Sequence, residues 1–146
     1  MKPILISACL LGVRCKYSGG DNYCPAAAAL GETYPLLPVC PEQLGGLPTP
    51  RPPAEIRAGR VMNHLGEDVT EQYEKGAEEV LRLARQFGCT LAVLKARSPS
   101  CGCGAVYDGT FSGSLIPGDG VAAAALRRHG IRVITEESLE NMTDFT

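Results

Sequence analysis

The chain has 146 residues, of which 45% are hydrophobic and 21% charged, a composition that is ordinary for one globular domain with its own core. A formal net charge of -2 gives no broad basic surface, which argues against binding to bulk nucleic acid or to an anionic membrane. No apolar run reaches transmembrane length and no signal-peptide core follows the first residues, so we expect a cytoplasmic protein.

Seven cysteines stand out in this composition. In a reducing compartment, cysteines are more often metal ligands or catalytic groups than parts of a disulfide framework, and the odd count agrees with that interpretation. Buried free cysteine is also common, so not every one of the seven needs a chemical role.

The first half of the chain alternates short apolar segments with loops. We predict strands over residues 4–8 and 36–39, a helix over residues 25–30 that ends at Gly31, and an extended piece over residues 60–63. Residues 41–60 are predicted to be a loop, because five prolines remove hydrogen-bond donors and fix the backbone. A loop of that length is usually functional or disordered.

The second half contains the clearest helix signal. Asp68 and Glu71 mark a helix start, apolar side chains then recur at a spacing near 3.6, and Gly88 ends the pattern. After it we predict a strand over residues 90–94, a hairpin over residues 105–111 that turns at Asp108-Gly109, a helix over residues 120–129 capped by Asp119, a strand over residues 131–135 and a short helix over residues 136–142.

Strands that alternate with helices indicate an α/β fold. We therefore predict a single domain over residues 1–146, with a mostly parallel β-sheet, flanking helices and a layering like that of Rossmann folds. The oligomeric state is left open.

Three of the predicted strands lead into loops that contain a cysteine. Cys9 follows the first strand, Cys40 follows the second, and Cys101 lies in a Ser/Gly-rich loop after the third. In an open parallel sheet the binding crevice lies outside the carboxyl ends of the strands, so we expect the three thiols to meet there. Neighbouring strands would set them roughly 5–10 Å apart, which suits a cluster of several irons better than a single zinc ion. Cys40 precedes a proline, which favours extended backbone and helps to project its thiolate from the strand.

Each of these loops also has a purely structural interpretation. Cys9 alone could be a buried apolar residue, and Cys40 could belong to a strand-ending turn. The small polar residues around Cys101 argue instead for a wet or ligand-facing loop. Together, the three loops favour a site.

Longer motifs surround the three cysteines. The first motif reads Ser7-Ala8-Cys9-Leu10-Leu11-Gly12, followed by Cys15 and Tyr17; the second reads Cys40-Pro41-Glu42 and continues through Gly45-Gly46-Leu47-Pro48-Thr49-Pro50-Arg51; the third reads Ser98-Pro99-Ser100-Cys101-Gly102, preceded by Lys95. In these motifs, and over nearly its whole length, the chain resembles the thiouracil desulfidase family, a small bacterial family of iron–sulfur proteins.

The resemblance implies a 4Fe–4S cluster held by three protein thiolates, here Cys9, Cys40 and Cys101, with one open iron that binds the sulfur of a thiocarbonyl. It also implies non-redox desulfuration of a thiolated pyrimidine, in which 2-thiouracil and water give uracil and hydrosulfide. The protein would then be an enzyme, a C–S hydrolase or lyase. Iron is a good partner for soft sulfur, so an open iron would both orient and polarise the thiocarbonyl group.

Attack by water needs a base, and the resemblance favours Glu42 for that role. Glu42 is two residues from Cys40, hence at most about 7 Å away along the chain, and an apolar Gly/Pro-lined loop can raise the pKa of a carboxylate that serves as base and then acid. The alternative is a solvated carboxylate in a turn. Ser98 or Ser100 could position the base or relay a proton, with Ser98 slightly preferred, or either hydroxyl could simply cap the turn around Pro99.

Other residues have open or structural roles. Cys15 could be a sulfur acceptor or a spare thiol on a flexible loop, and Lys95 and Arg51 could balance the charge of the cluster, contact the substrate or lie on the surface. We expect Cys24, Cys89 and Cys103 to be structural, and His64 and His129 to lie on the surface.

Three other functions remain compatible with parts of the sequence. One is a desulfurase or sulfur-transfer enzyme for another thiolated base or nucleoside, and a second is a non-catalytic module that binds an iron–sulfur cluster or zinc. The third is a thiol–disulfide protein. The chain has no Cys-x-x-Cys pair, which argues against zinc and against disulfide exchange.

Overall fold

The computed structural model describes residues 1–141 and contains a four-stranded parallel sheet with helices on both faces. The strands are β1 (Ile4–Ser7), β2 (Leu36–Val39), β3 (Ala54–Arg57), β4 (Arg60–Asn63), β5 (Leu91–Leu94), β6 (Ala105–Tyr107), β7 (Leu115–Pro117) and β8 (Arg132–Thr135). The helices are α1 (Pro25–Ala29), α2 (Pro41–Leu44), α3 (Thr70–Gln86) and α4 (Val121–Arg128), and 3₁₀ turns cover Ala8–Leu11, Leu30–Glu32 and Glu136–Asn141.

The order of the main sheet is β2-β1-β5-β8, and all its pairs are parallel. The two remaining pairs, β3 with β4 and β6 with β7, are antiparallel ribbons. The predicted α/β fold with a mostly parallel sheet is therefore confirmed. Because β1 lies between β2 and β5, the three strands that precede the cysteine loops are neighbours and end at the same edge of the sheet.

The core lies on both faces of this sheet, as expected for parallel strands buried on each side. Ile4 and Ile6 of β1 pack on one face with α1 and the neighbouring 3₁₀ turns, whereas Leu5 packs on the other face against α3 and α4. The alternation follows from the two-residue period of a strand. With its two faces covered by helices, the sheet leaves its carboxyl edge as the place for a crevice.

Residues 41–60 are not the continuous loop predicted from the proline count. Pro41 occupies the first position of α2, where its missing N–H and fixed φ are compatible with a helix. Pro52 and Pro53 directly precede β3, which pairs with the correctly predicted extended segment β4. Counting prolines without regard to their position in an element caused this error.

Two turn assignments were also wrong. The predicted hairpin turn at Asp108-Gly109 is absent. The partner strand β7 begins only at Leu115, which pairs with Tyr107 of β6. Asp119 does not cap α4; it accepts hydrogen bonds from the N–H of Gly104 (2.8 Å) and from Arg127 (2.8 Å). The first N–H groups of α4 are satisfied by backbone carbonyls of the Pro99–Ser100 segment instead.

The C-terminal helix predicted over residues 136–142 is a 3₁₀ turn over Glu136–Asn141, and residue 142 lies outside the described residues. Within residues 1–141, no helix is both long and apolar enough to cross a bilayer. The cytoplasmic location stays a prediction.

Candidate active site

A cavity of about 560 Å³ opens at the carboxyl edge of the main sheet. Cys9, Cys40 and Cys101 all line it, so the structure brings together the three thiols that the sequence singles out. A fourth thiol, that of Cys15, lines the same cavity.

Cys9 is placed by a 3₁₀ turn that begins directly after β1. The turn ends at Gly12, which adopts φ +93 and donates its N–H to the Cys9 carbonyl at 3.2 Å. The N–H of Asn22 donates to the same carbonyl at 3.0 Å. Because Gly12 can adopt this left-handed conformation without a steric penalty, the chain can turn sharply just after the thiol.

Cys40 stands at the junction of β2 and α2. Its backbone is extended, with φ -123 and ψ 102, as expected for a residue before proline. Its carbonyl accepts the N–H of Leu44 at 3.0 Å and so begins the helical hydrogen bonding of α2. The strand, the cysteine and the helix are thereby fixed relative to one another.

Cys101 is buried in a loop that is clamped against the start of α4. Gly102 donates its N–H to the Ser98 carbonyl at 2.8 Å, and the Ser100 carbonyl accepts N–H bonds from Ala122 and Ala123 at 2.9 and 3.1 Å. A Cβ at Gly120 would lie 2.5 Å from the Ser100 carbonyl carbon, so only glycine permits this approach. The loop that carries Cys101 is therefore held by backbone contacts.

Cys15 connects two of the other thiols. Hydrogen bonding from Cys15 is the main cause that lowers the pKa of Cys9 to about 7 and that of Cys40 to about 6, against the opposing effect of burial. The pKa of Cys15 itself is raised, since it is the thiol that keeps its proton. Cys15 is buried, and Arg51 donates from Nη2 to its carbonyl at 2.9 Å, so it does not lie on the flexible loop expected from the sequence.

Cys101 differs in its electrostatics. Complete enclosure raises the pKa of its thiol to about 12, although hydrogen bonds from Ser7 and Ser100 act in the opposite direction. Burial therefore favours the protonated thiol, and a metal centre that replaced the proton would stabilise the thiolate.

Among the described side chains, those of residues 1–139, no three from His, Cys, Asp or Glu are arranged to hold a single metal ion. This geometry gives no support to the zinc-binding module that the sequence left open.

A carboxylate, that of Glu42, lies beside the thiols in the same cavity. Its Oε1 accepts a short hydrogen bond from the hydroxyl of Tyr73, and its Oε2 lies 3.3 Å from the Ser100 hydroxyl and 3.4 Å from Nη2 of Arg51. Ser100 is fully buried and its hydroxyl lies 3.0 Å from that of Ser98, which lines the cavity. A continuous line of hydroxyl groups therefore joins Glu42 to the cavity wall at Ser98.

Ser98 also holds the turn, because its Oγ accepts the N–H groups of Ser100 and Cys101, both at 3.1 Å. The two sequence-based interpretations of this hydroxyl, as a cap and as a member of a polar chain, are thus both compatible with its geometry.

Two partners of Glu42 were missed or left open by the sequence. Tyr73 was assigned to the apolar face of α3; it is indeed buried there, but its hydroxyl points to Glu42. Arg51 is buried rather than on the surface, with a side chain only 3% exposed. No local pattern signals either contact, since each joins segments far apart in the chain.

The rim of the cavity is held by a second ion pair. Lys95 Nζ lies 3.0 Å from Glu136 Oε2, and the N–H of Lys95 donates to the Ser7 hydroxyl at 2.9 Å. Glu136 also accepts the N–H of Ala96 at 2.7 Å. Lys95 is thus tied to the ends of β1 and β8 while it lines the cavity.

A family model described as 2-thiouracil desulfurase matches residues 4–138 of the sequence. The chain belongs to the 2-thiouracil desulfurase family. This finding confirms the family resemblance that the three cysteine motifs indicate.

Two further matches agree with this family. The uncharacterized protein YbbK of Bacillus subtilis (strain 168) is 42% identical over 149 aligned positions, which cover 95% of this chain and 99% of YbbK. The solved structure of the [4Fe-4S]-dependent thiouracil desulfidase TudS superimposes with a TM-score of 0.90 at 44% identity and covers 97% of this chain and 95% of that one. The fold is therefore that of TudS.

In this member of the 2-thiouracil desulfurase family, three cysteines lie away from the cavity. Cys89 is buried in the core between the sheet and the helices α3 and α4, and Cys24 packs against the core on the α1 face of the sheet. The thiol of Cys103 donates to the Val133 carbonyl at 3.7 Å. Their positions agree with the structural roles expected for them.

Proposed function

We propose that this protein removes the sulfur of a thiolated pyrimidine with water and without net oxidation or reduction, so that 2-thiouracil gives uracil and hydrosulfide. Family membership and the 44% identity to a [4Fe-4S]-dependent thiouracil desulfidase support this reaction. The observation that carries it in this chain is the meeting of Cys9, Cys40 and Cys101 in one cavity, in the segments that follow three adjacent strands.

The donor set fits a 4Fe–4S cluster held by these three cysteines. Thiolate sulfur is the ligand that iron–sulfur clusters take, and three thiolates leave one iron without a protein ligand. When bound, such a cluster would supply a soft Lewis acid for the thiocarbonyl sulfur. Cys15 would stay outside this ligand set, as a buried hydrogen-bond donor to Cys9 and Cys40.

We assign to Glu42 the role of the base that takes a proton from the attacking water. Its carboxylate lines the cavity and is held from three sides, by Tyr73, Ser100 and Arg51. A base fixed in this way takes the proton of an attacking water without having to reorganise first. The proton can then pass through Ser100 to Ser98, at the cavity wall, and from there towards the departing sulfur or the pyrimidine ring.

Anaerobic reconstitution tests this proposal. The wild-type protein should bind about four irons per chain and release sulfide from 2-thiouracil. Replacement of Cys9, Cys40 or Cys101 by Ala should abolish both iron binding and turnover, whereas Cys24→Ala, which removes a thiol outside the cavity, should change neither. Glu42→Gln should keep the iron and lose turnover. Full activity of an iron-free protein, or of the Glu42 variant, would refute the corresponding assignment.

A panel of thiolated substrates separates this function from its closest alternative. Turnover of a thiolated nucleoside in preference to the free base would indicate the same chemistry on a larger substrate. A protein that binds iron but releases sulfide from no thiolated pyrimidine or nucleoside would instead be a cluster-binding module.

A further inference from the structure

A second carboxylate, that of Glu55 on β3, lines the same cavity as Glu42. Its Oε1 accepts two backbone hydrogen bonds, from the N–H of Gly109 at 3.0 Å and from the N–H of Phe111 at 3.1 Å. Among the side chains that the structure describes, those of residues 1–139, no donor reaches its Oε2 and no cation forms an ion pair with Glu55. One of the two oxygens is therefore available to a ligand.

None of the four basic residues that line the cavity forms an ion pair with Glu55, and one of them, Lys16, lies over the Tyr17 ring, with its Nζ 6.0 Å from the ring centroid. Arg51 pairs with Glu42 at 3.4 Å, Lys95 with Glu136 at 3.0 Å, and Arg97 with Glu137 at 2.9 Å. Glu42 in turn is engaged by three side chains. Of the two carboxylates in the cavity, Glu55 is the one with an unused acceptor.

The loop that Glu55 holds provides part of the cavity wall. Gly109 adopts φ +93 and has no room for a side chain, since a Cβ there would lie 2.6 Å from the Cβ of Arg57. Phe111 adopts φ +57, an unfavourable conformation for a bulky residue that needs external support. The two hydrogen bonds to Glu55 supply that support and keep Phe111 at the cavity, together with Tyr107 at the end of β6.

A thiolated pyrimidine matches this arrangement chemically. Its ring presents N–H donors next to the thiocarbonyl group, and its flat faces pack well on aromatic side chains. Proteins that hold a single base read it by this combination of hydrogen bonds to the ring edge and contact with apolar or aromatic groups. A carboxylate with a free oxygen accepts such an N–H strongly.

We propose that Glu55 determines the specificity for the base: its Oε1 holds the loop at Gly109 and Phe111, and its Oε2 accepts a ring N–H of the thiolated pyrimidine. This inference rests on the proposed function, and it adds a substrate-contacting residue outside the three cysteine motifs. It also gives a role to a cavity carboxylate that forms no ion pair with the described residues.

Glu55→Gln separates the two roles. The amide oxygen of Gln can still accept both backbone N–H groups, but an NH₂ donor replaces the oxygen that faces the ligand. We expect kcat/KM for 2-thiouracil to fall about 10- to 100-fold, the usual effect of losing one hydrogen bond to a charged group, with unchanged iron content. Glu78→Gln, the same change at an exposed position of α3, is the matched control and should behave as the wild type.

Methylated substrates decide between contact and structure. 1-Methyl- and 3-methyl-2-thiouracil each lack one ring N–H, so the penalty of Glu55→Gln should shrink to less than about 3-fold on the one whose missing N–H meets Glu55. Where a methyl group prevents turnover, inhibition constants of uracil, 1-methyluracil and 3-methyluracil provide the same comparison.

If Glu55→Gln lost the same factor in kcat/KM on 2-thiouracil and on both methylated forms, Glu55 would hold the loop without contacting the ring. If Glu55→Gln had the kcat/KM of the wild type on 2-thiouracil, Glu55 would neither hold the loop nor contact the ring. Either result overturns the inference. Failure of the wild-type protein to release sulfide would instead refute the proposed function, and dissociation constants of the three uracils, measured by titration calorimetry on the wild type and Glu55→Gln, would then judge Glu55 alone.

Discussion

Glu42 is held in place by an unusually close contact between the backbones of α2 and α3. A Cβ added at Gly76 of α3 would lie 1.9 Å from the carbonyl oxygen of Pro41, and a Cβ added at Gly45, just after α2, would lie 1.9 Å from the carbonyl oxygen of Gln72. Each glycine therefore faces a backbone carbonyl of the other segment. Gly76→Ala tests whether this contact positions the carboxylate.

The magnitude follows from two opposing effects. Ala in place of Gly inside a helix would by itself stabilise the protein by about 1 kcal/mol. To raise the Cβ–oxygen distance from 1.9 Å to an allowed 3.0 Å, however, α2 must recede by about 1.1 Å, and overpacking of this kind costs about 1–3 kcal/mol. We expect a net loss of up to about 2 kcal/mol, or a few degrees in melting temperature.

The effect on catalysis should be larger than the effect on stability. The hydroxyl of Tyr73 on α3 donates to Oε1 of Glu42 on α2, so a displacement of α2 away from α3 by about 1.1 Å would pull this hydrogen bond apart. A displacement of about 1 Å at a reacting group commonly lowers the rate about 100-fold. We therefore expect kcat to fall by about two orders of magnitude while the iron content is retained.

The assay combines anaerobic urea unfolding, iron content and sulfide release, measured well below the melting temperature. Gly31→Ala is the control, since the nearest neighbour of its Cβ is the flexible end of Leu36 at 3.3 Å and the site lies away from the cavity. If Gly76→Ala were as stable as the wild type and equally active, the contact between α2 and α3 would have no part in positioning Glu42.

Two further experiments probe the polar chain and the thiols. Ser100→Ala should lower turnover on the order of 10²-fold at unchanged iron content, because it cuts the link from Glu42 to Ser98; wild-type turnover would exclude a relay through Ser100. In reduced, iron-free protein at pH 7, iodoacetamide should modify Cys40 long before Cys101. The pKa of about 6 makes Cys40 mostly thiolate, whereas the pKa of about 12 keeps Cys101 protonated. Peptide mass spectrometry would give the order of modification. Lowering the pH from 7 to 5 should slow the reaction at Cys40, and preferential labelling of Cys101 would contradict the predicted order.

The sequence predicted the sheet and the meeting of the thiols because both depend on local patterns. Apolar runs such as Leu36–Val39 define the strands, parallel strands end at a common edge, and the proline after Cys40 fixes its extended backbone. Each of these inferences needs only a few consecutive residues and a general rule of α/β topology.

The supports of Glu42 could not be predicted in the same way. A tyrosine at an apolar position of α3 looks like any core residue, and only the packing of α2 reveals that Tyr73 donates a hydrogen bond to Glu42. Arg51 and Glu55 lie in a proline-rich stretch that the sequence suggests is loop. The burial of Arg51 and the backbone hydrogen bonds of Glu55 both depend on contacts made across the fold. The role of Cys15 could not be predicted from the sequence either, because its partners Cys9 and Cys40 are brought to it by two different strands.

The cysteines and the carboxylate of Glu42 are positioned by different parts of the fold. Cys9 and Cys40 are positioned by the ends of β1 and β2, and Cys101 by a loop that backbone hydrogen bonds hold against the start of α4. The carboxylate depends on α3, a helix with no residue in the cavity, through the Tyr73 hydroxyl and the glycine at position 76. Changes on the buried face of α3 should therefore alter turnover without altering metal binding, whereas changes at the strand ends should remove both together.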